Sequence, residues 1–286
     1  MRIFIAGQRG QLGRALTDAL AGHSVAGGDL PELDIADYSA AQRIIADFAP
    51  NVVINAAAYT DTTGCERNPD LAYRVNALGA QSLALACAGC DAALVHISTN
   101  EVFDGRQTTP YRELDTPNPL NTYARSKLAG EWYVQMQAPR FYIVRTAWLY
   151  GQGTSNFIYK ITRLADERGR LAVVTDEIAT PTSALDLAQA IAALIQRPVW
   201  GIYHFTNSGE CSRFDWTRRL LDLTGRGHVA LTATKTADFP VVSAKPAYSV
   251  LRNFCGAALG INLRPWEEAL EDFLKGNGAL GAATNG

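Results

Sequence analysis

At 286 residues the chain is long enough for one large domain, or a domain with an appended lobe, and can bury a core without staples. Hydrophobic residues make up 48% and charged residues 19%, with a formal net charge of -2. No basic run is available to neutralise phosphates, which argues against a nucleic-acid partner. The apolar start "RIFIAG" meets a glycine after a few residues, too short for a signal-peptide core. No later stretch has the length to span a bilayer, so no membrane partner is expected and a cytoplasmic location is. Five cysteines without framework spacing fit a reducing compartment, and the lone Cys87/Cys90 pair reads as packing thiols rather than a four-ligand zinc site.

In chain order, "RIFIAG" reads as a strand, "QLGRALTDALAG" as a helix, "SVAGGD" as a weak strand and "YSAAQRIIADF" as a helix. The strand "NVVINAAA" follows, then a long helix ending near "QSLALACAG", the strand "AALVHIST", the helix "TYARSKLAGEW" and the strand "FYIVRTAW". Nearly continuous apolar strands alternating with helices predict an α/β fold: a Rossmann-type, doubly wound parallel sheet. After about Gly151 the rhythm becomes interrupted. Helices over "NFIYKITRLADER" and "TSALDLAQAIAALIQ", strands at "LAVVTDE" and "GIYHFTN", and helices near 212–224, 248–258 and 265–275 predict a smaller C-terminal substrate-binding lobe. The expected division is 1–150 plus about 183–206 for the NAD(P)-binding domain, and about 151–182 and 207–275 for the lobe. The Gly/Ala-rich tail 276–286 is expected to be flexible.

The first strand runs into "GQRGQLG", with Gly7, Gly10 and Gly13 spaced by threes and Gln11 and Leu12 opening the helix. Such a turn lets backbone amides at a helix N-terminus meet a pyrophosphate. At the tip of the second strand, Asp29 is placed to receive ribose hydroxyls and favour NADH, while Arg9 is placed to meet a 2′-phosphate and favour NADPH. Charges of both signs leave the cofactor preference open. Asp34, with Ile35 beside it, is placed for adenine or as a loop acid. Ser98 and Thr99 end the fourth strand, on the edge where open α/β sheets bind ligands. Tyr123 and Lys127, four apart on a helix, share one face. A lysine charge beside that phenol would lower its ordinary pKa of about 10 toward the range useful for proton transfer.

These residues resemble the extended short-chain dehydrogenase/reductases, and most closely the dTDP-4-dehydrorhamnose reductase branch. The similarity runs over roughly residues 1–275 through "GQRGQLG", "NAAAYTD", "VNALG", "YARSK", "RTAWLYG", "TPT", "KPAYSVL" and "LRPWEEAL". It implies NADPH or NADH as cofactor, a dTDP-sugar as substrate, and reduction of a C4 ketone. Thr99 is then assigned to the substrate carbonyl, Tyr123 to proton donation, and Lys127 to the nicotinamide ribose and to tuning Tyr123. Ala56, Ala57 and Ala58 would border the cofactor, Trp148 would shape the sugar pocket, and Asn156 and Lys245 would meet the diphosphate. The chain departs from the branch where Asn100-Glu101 replaces the usual Asp-Tyr, so these two mark the substrate side. It departs again at Thr62-Thr63, at Glu177 and Ala179, and at Lys245, where arginine is common. The alternatives are a reductase, epimerase or dehydratase for another nucleotide-linked 4-keto sugar, and a non-catalytic regulator resembling the methionine adenosyltransferase beta subunit. A homodimer and a bridging divalent cation are left open.

Overall fold

Strands whose residues are buried on both faces need helices above and below, and that requirement organises the chain. The computed structural model describes residues 1–153, 156–240 and 242–276. The first half runs β1 (Arg2–Ala6), α1 (Gln11–Ala19), β2 (Ser24–Gly28), α2 (Tyr38–Phe48), β3 (Val52–Asn55), α3 (Thr62–Arg67), α4 (Pro69–Tyr73), α5 (Gly79–Gly89), β4 (Ala93–Thr99), α6 (Thr122–Gln137) and β5 (Phe141–Thr146). There follow β6 (Leu149–Tyr150), α7 (Phe157–Arg168), β7 (Arg170–Val174), β8 (Ile178–Ala179), β9 (Thr182–Ser183), α8 (Ala184–Leu194) and β10 (Gly201–His204). The chain ends with β11 (Cys211–Ser212), α9 (Arg213–Leu223), β12 (Ala230–Thr234), α10 (Phe254–Ala258) and α11 (Trp266–Gly276).

Six strands form one parallel sheet in the order β2-β1-β3-β4-β5-β10. The pleat sends alternate residues to opposite faces. Ile3, Ile5, Val52, Ile54, Val95 and Val144 join one core with Leu12 and Leu16 of α1 and Leu187 and Ile191 of α8. Phe4, Val53, Leu94 and Ile143 join the other with Ile45 of α2, Leu83 of α5 and Val134 of α6. The sheet is thus the doubly wound α/β sheet the sequence predicts. Strand order reverses between β1 and β3, so the crevice at their C-terminal ends is the expected ligand position.

The second half carries three two-stranded pairings, β7 with β12, β8 with β11 and β6 with β9. A third core of Tyr150, Ile158, Trp216, Leu220, Trp266 and Leu270 holds them with α7, α9 and α11.

Three expectations are corrected. The long helix before residue 89 is broken into α3, α4, a π-helical turn over Arg74–Leu78, and α5. The break falls where Asn68 accepts the Leu71 N–H at 3.1 Å and Pro69 opens α4. The helix near 248–258 shrinks to Phe254–Ala258, because Tyr248 and Leu251 bridge to Ile178 and Tyr111 as extended chain. Strand β12 stands in a stretch read as irregular, since most of its residues are exposed and show no apolar pattern. Apart from Gly276, which closes α11, the predicted flexible tail lies outside the described residues. No helix among the described residues is long and apolar enough to cross a membrane.

Candidate active site

At the end of β1 the chain turns through Gly7, at φ +85°, where a Cβ would stand 2.7 Å from the Ala57 nitrogen. A Cβ on Gly13 would stand 2.1 Å from the Gly7 carbonyl oxygen. Only glycine permits this packing of loop, helix start and β3 exit. Gly10 caps α1 without any side-chain acceptor, so the positive end of the helix is open to an anion. Leu12 is buried in the core beneath, and the buried Gln11 Oε1 has no partner among the described residues. Ala56 donates its N–H to the Ala6 carbonyl at 2.9 Å and Ala57 to Asn55 Oδ1 at 3.2 Å, bringing Ala56–Ala58 alongside the glycine turn. The loop therefore fits a dinucleotide diphosphate.

The residues expected to choose the cofactor share one spot. Asp29 accepts the Arg9 backbone N–H at 3.0 Å, and the Arg9 guanidinium pairs with Glu32 at 3.0 Å while lying 4.0 Å from Asp29. Asp34 pairs with Arg74 and accepts the Ala36 N–H at 2.9 Å. The Ile35 side chain is taken up by core packing against Gly79.

Thr99 ends β4, and the start of α6 is clamped beside it from three segments. Asn121 Oδ1 accepts the Ala124 N–H at 2.8 Å, while its Nδ2 donates to Glu101 Oε2 at 2.7 Å and to the Ala244 carbonyl at 2.8 Å. The Glu66 carboxylate accepts the Thr122 N–H at 2.8 Å and hydroxyl at 2.7 Å, which holds Glu66 below the usual carboxylate range. Tyr123, between these anchors, is half-buried with its phenol hydrogen-bonded to Thr99. Burial pushes its pKa up, the Glu101 carboxylate adds to the rise, and the hydrogen bond to Thr99 acts the other way.

Lys127 is 2% exposed and its Nζ donates to the Ile97 carbonyl at 2.6 Å. Burial lowers it to about 8, with Glu131 acting against the drop. The two residues share a helical face; one ammonium N–H is taken by Ile97, and Glu101, Thr99 and Cys65 act on the phenol.

The substrate-side expectations divide. Asn100 Nδ2 donates to the Ser249 hydroxyl at 2.7 Å and carbonyl at 3.2 Å, so it ties a neighbouring segment down. Lys245, expected at a diphosphate, pairs with Glu101 at 2.9 Å. Asn156 caps α7, accepting the Tyr159 N–H at 3.3 Å and donating to the Gly151 and Gly153 carbonyls at 2.7 and 3.0 Å. Both polar atoms of its side chain are engaged in holding this turn and the start of α7. Trp148 (φ +42°) stacks on Trp216 with centroids 5.6 Å apart, and the Arg213 guanidinium lies 3.6 Å over its ring.

Arg213, Glu66 and Asn121 were not singled out from sequence. Asn121 carried a signal, as an N-cap residue directly before a helix. Glu66 and Arg213 act through partners 56 and 65 positions away, which no local pattern records. Among the described residues no group of three or more His, Cys, Asp or Glu side chains is arranged to hold a metal ion, so the divalent cation left open has no such cluster.

Comparison with known proteins places this geometry. The model of the RmlD substrate binding domain family matches residues 1–278. The spore coat polysaccharide biosynthesis protein SpsK of Bacillus subtilis is 37% identical over 96% of this chain and 97% of its own. The dTDP-4-dehydrorhamnose reductase of Mycobacterium tuberculosis is 41% identical over 94% of this chain and 91% of its own. The crystal structure of dTDP-4-dehydrorhamnose reductase from Bacillus anthracis in complex with NADP superposes with a TM-score of 0.93 at 36% identity, over 96% of this chain and 99% of that one. With a family model spanning nearly its whole length, this chain belongs to the RmlD substrate binding domain family.

Proposed function

We propose that this protein is an NAD(P)H-dependent oxidoreductase that reduces the C4 ketone of dTDP-4-dehydrorhamnose to give dTDP-L-rhamnose. The observation that carries this reading is the meeting of Thr99, Tyr123 and Lys127 at the end of β4, one crevice from the open N-terminus of α1. The six-stranded sheet would serve as the cofactor domain, and the β7/β12 and β8/β11 segments with α7, α9 and α11 as the nucleotide-sugar lobe. The glycine turn and the first-turn amides of α1 would hold the cofactor diphosphate. Asp29 would accept the hydroxyls of an unphosphorylated ribose, and the largely exposed Arg9 would turn to a 2′-phosphate, so either cofactor is accommodated. The cofactor supplies hydride.

The chain's own residues supply the proton and steady the charge. A phenol whose pKa is raised by burial remains fully protonated at neutral pH, as a donor must. The alkoxide forming at the substrate C4 oxygen is a far stronger base than a phenolate, so Tyr123 gives up its proton only as that charge develops. Thr99 donates a hydrogen bond to the same oxygen, an interaction that strengthens toward the transition state. Lys127, held by Ile97, would present its remaining N–H groups to the nicotinamide ribose.

The test is consumption of reduced nicotinamide at 340 nm with dTDP-4-dehydrorhamnose generated in situ, NADPH and NADH being supplied separately. Consumption coupled to dTDP-L-rhamnose supports the assignment and ranks the cofactors. Folded protein that binds cofactor and consumes none defeats it.

A further inference from the structure

Two of the positions at which the sequence departs from its branch are 144 residues apart and in contact: Lys245 Nζ donates to Glu101 Oε1 at 2.9 Å and Oε2 at 3.1 Å. Both side chains are about four-fifths buried, at 24% and 18% exposed.

The surroundings sharpen the point. The Glu101 carboxylate raises the Tyr123 phenol, and Asp61, Glu66 and Glu101 all raise the Cys65 thiol in the same pocket. Lys245 opposes them, lowering both Cys65 and Glu66. It is therefore the cation in direct contact with Glu101, with Arg125 acting on Glu66 and Arg213 on Glu101 from further off. A nucleotide sugar brings a doubly charged diphosphate to that rim, and in a partly desolvated pocket an uncompensated carboxylate repels it strongly.

The same pair fastens a segment. Asn121 donates to both Glu101 and the Ala244 carbonyl, Asn100 holds Ser249, and the Ala247 carbonyl and Ser249 N–H bond to Ile178 at 2.8 and 2.9 Å. Residues 243–251 thus strap the lobe to the end of β4, with the ion pair as its charged fastening.

We propose that Glu101 and Lys245 act as one unit that sets affinity for the nucleotide sugar, Lys245 serving to cancel the Glu101 charge and pin the 243–251 strap rather than to bind the diphosphate directly. The proposal rests on the reductase reading above and deepens it. A lysine that met the diphosphate on its own would matter equally whether or not position 101 is charged. A lysine that neutralises Glu101 matters only while that carboxylate is there.

The experiment is a double-mutant cycle with Lys245→Met, Glu101→Gln and both together, reading KM and kcat for dTDP-4-dehydrorhamnose and the NADPH dissociation constant by fluorescence. Lys245→Met in the native background should raise KM about tenfold, and in the Glu101→Gln background less than about twofold, with NADPH affinity unchanged in all. An equal rise in both backgrounds, or none in either, overturns the proposal. Hydrogen exchange of residues 243–251 in the substrate-free protein gives a readout independent of turnover. Both single variants should speed exchange there, and native protection in Glu101→Gln overturns the fastening role. Native protein that turns over no dTDP-sugar would sink the reductase reading instead, and the exchange comparison would still decide whether the pair is a unit.

Discussion

Lys127 offers the sharpest quantitative test, because its burial has a cost that pH can read. Its pKa falls from the ordinary 10.5 to about 8, chiefly through desolvation of a side chain that is 2% exposed. A base with a depressed native pKa penalises folding wherever the unfolded chain is protonated and the native chain resists it. Stability linked to Lys127 is therefore lowest below about pH 8 and rises between about 8 and 10.5, where the unfolded state binds more protons. At about 1.4 kcal/mol per pH unit, a drop of this size amounts to about 3 kcal/mol across the window. Lys127→Met removes the cation, keeps most of the volume, and gives up one charged hydrogen bond to Ile97, worth about 1.5–3 kcal/mol. The two effects nearly cancel at pH 7, so the variant should fold with close to native stability there while losing activity. The signature lies in the difference between the two proteins. Urea unfolding at pH 7 and pH 10 should show the native protein gaining about 2–3 kcal/mol relative to Lys127→Met as pH rises, other titrations cancelling in the comparison. A constant difference across that range would mean that Lys127 is not desolvated as described, and the reasoning would fail.

Tyr123→Phe should lower kcat by about a hundredfold or more with NADPH affinity retained, and near-native turnover would remove Tyr123 as the proton donor. Gly13→Ala should abolish cofactor binding or folding, because the added methyl stands 2.1 Å from a fixed backbone oxygen; fluorescence titration with NADPH checks it, and native affinity would show that the turn relaxes. Asn156→Ala should cost about 1 kcal/mol of stability in urea unfolding by uncapping α7 and leave KM for the nucleotide sugar nearly unchanged, whereas a large KM rise would support the diphosphate role. Glu66→Gln should cut kcat more than it raises KM, by loosening the first turn of α6; a KM effect alone would contradict a positioning role.

How far the sequence could be read depends on the distance over which each signal acts. The apolar runs at Ile3–Ala6 and Val52–Ile54 announced strands covered on both faces, and those residues do divide between two cores. Helix α2 falls on the run "YSAAQRIIADF" because Asp37 caps it and Ala49, in a left-handed conformation, ends it. The glycine turn was legible because Gly7, Gly10 and Gly13 fall within seven residues, although the close approach of Gly7 to Ala57 leaves no local mark. The π-helical turn at Arg74–Leu78 and the exposed strand β12 were not, since neither has a local apolar signature. Spacing put Tyr123 and Lys127 on one face but could not reveal that Ile97, thirty positions earlier, takes the ammonium. Likewise Asn156 and Lys245 are polar residues whose role is fixed by what stands opposite: two carbonyls in one case and a carboxylate in the other.

That dependence on partners explains why the start of α6 is held so firmly. A half-buried phenol and a buried ammonium lie on adjacent turns, and burial of the ammonium is unfavourable. What keeps them in place is a set of anchors outside the reacting groups: Glu66 on Thr122, Asn121 on Ala124, and Glu101 on Asn121. Glu66 is held below the usual carboxylate range by its two hydrogen bonds from Thr122, while Glu101 accepts from Asn121 and Lys245. The reactive pair thus borrows its geometry from carboxylates that do not react.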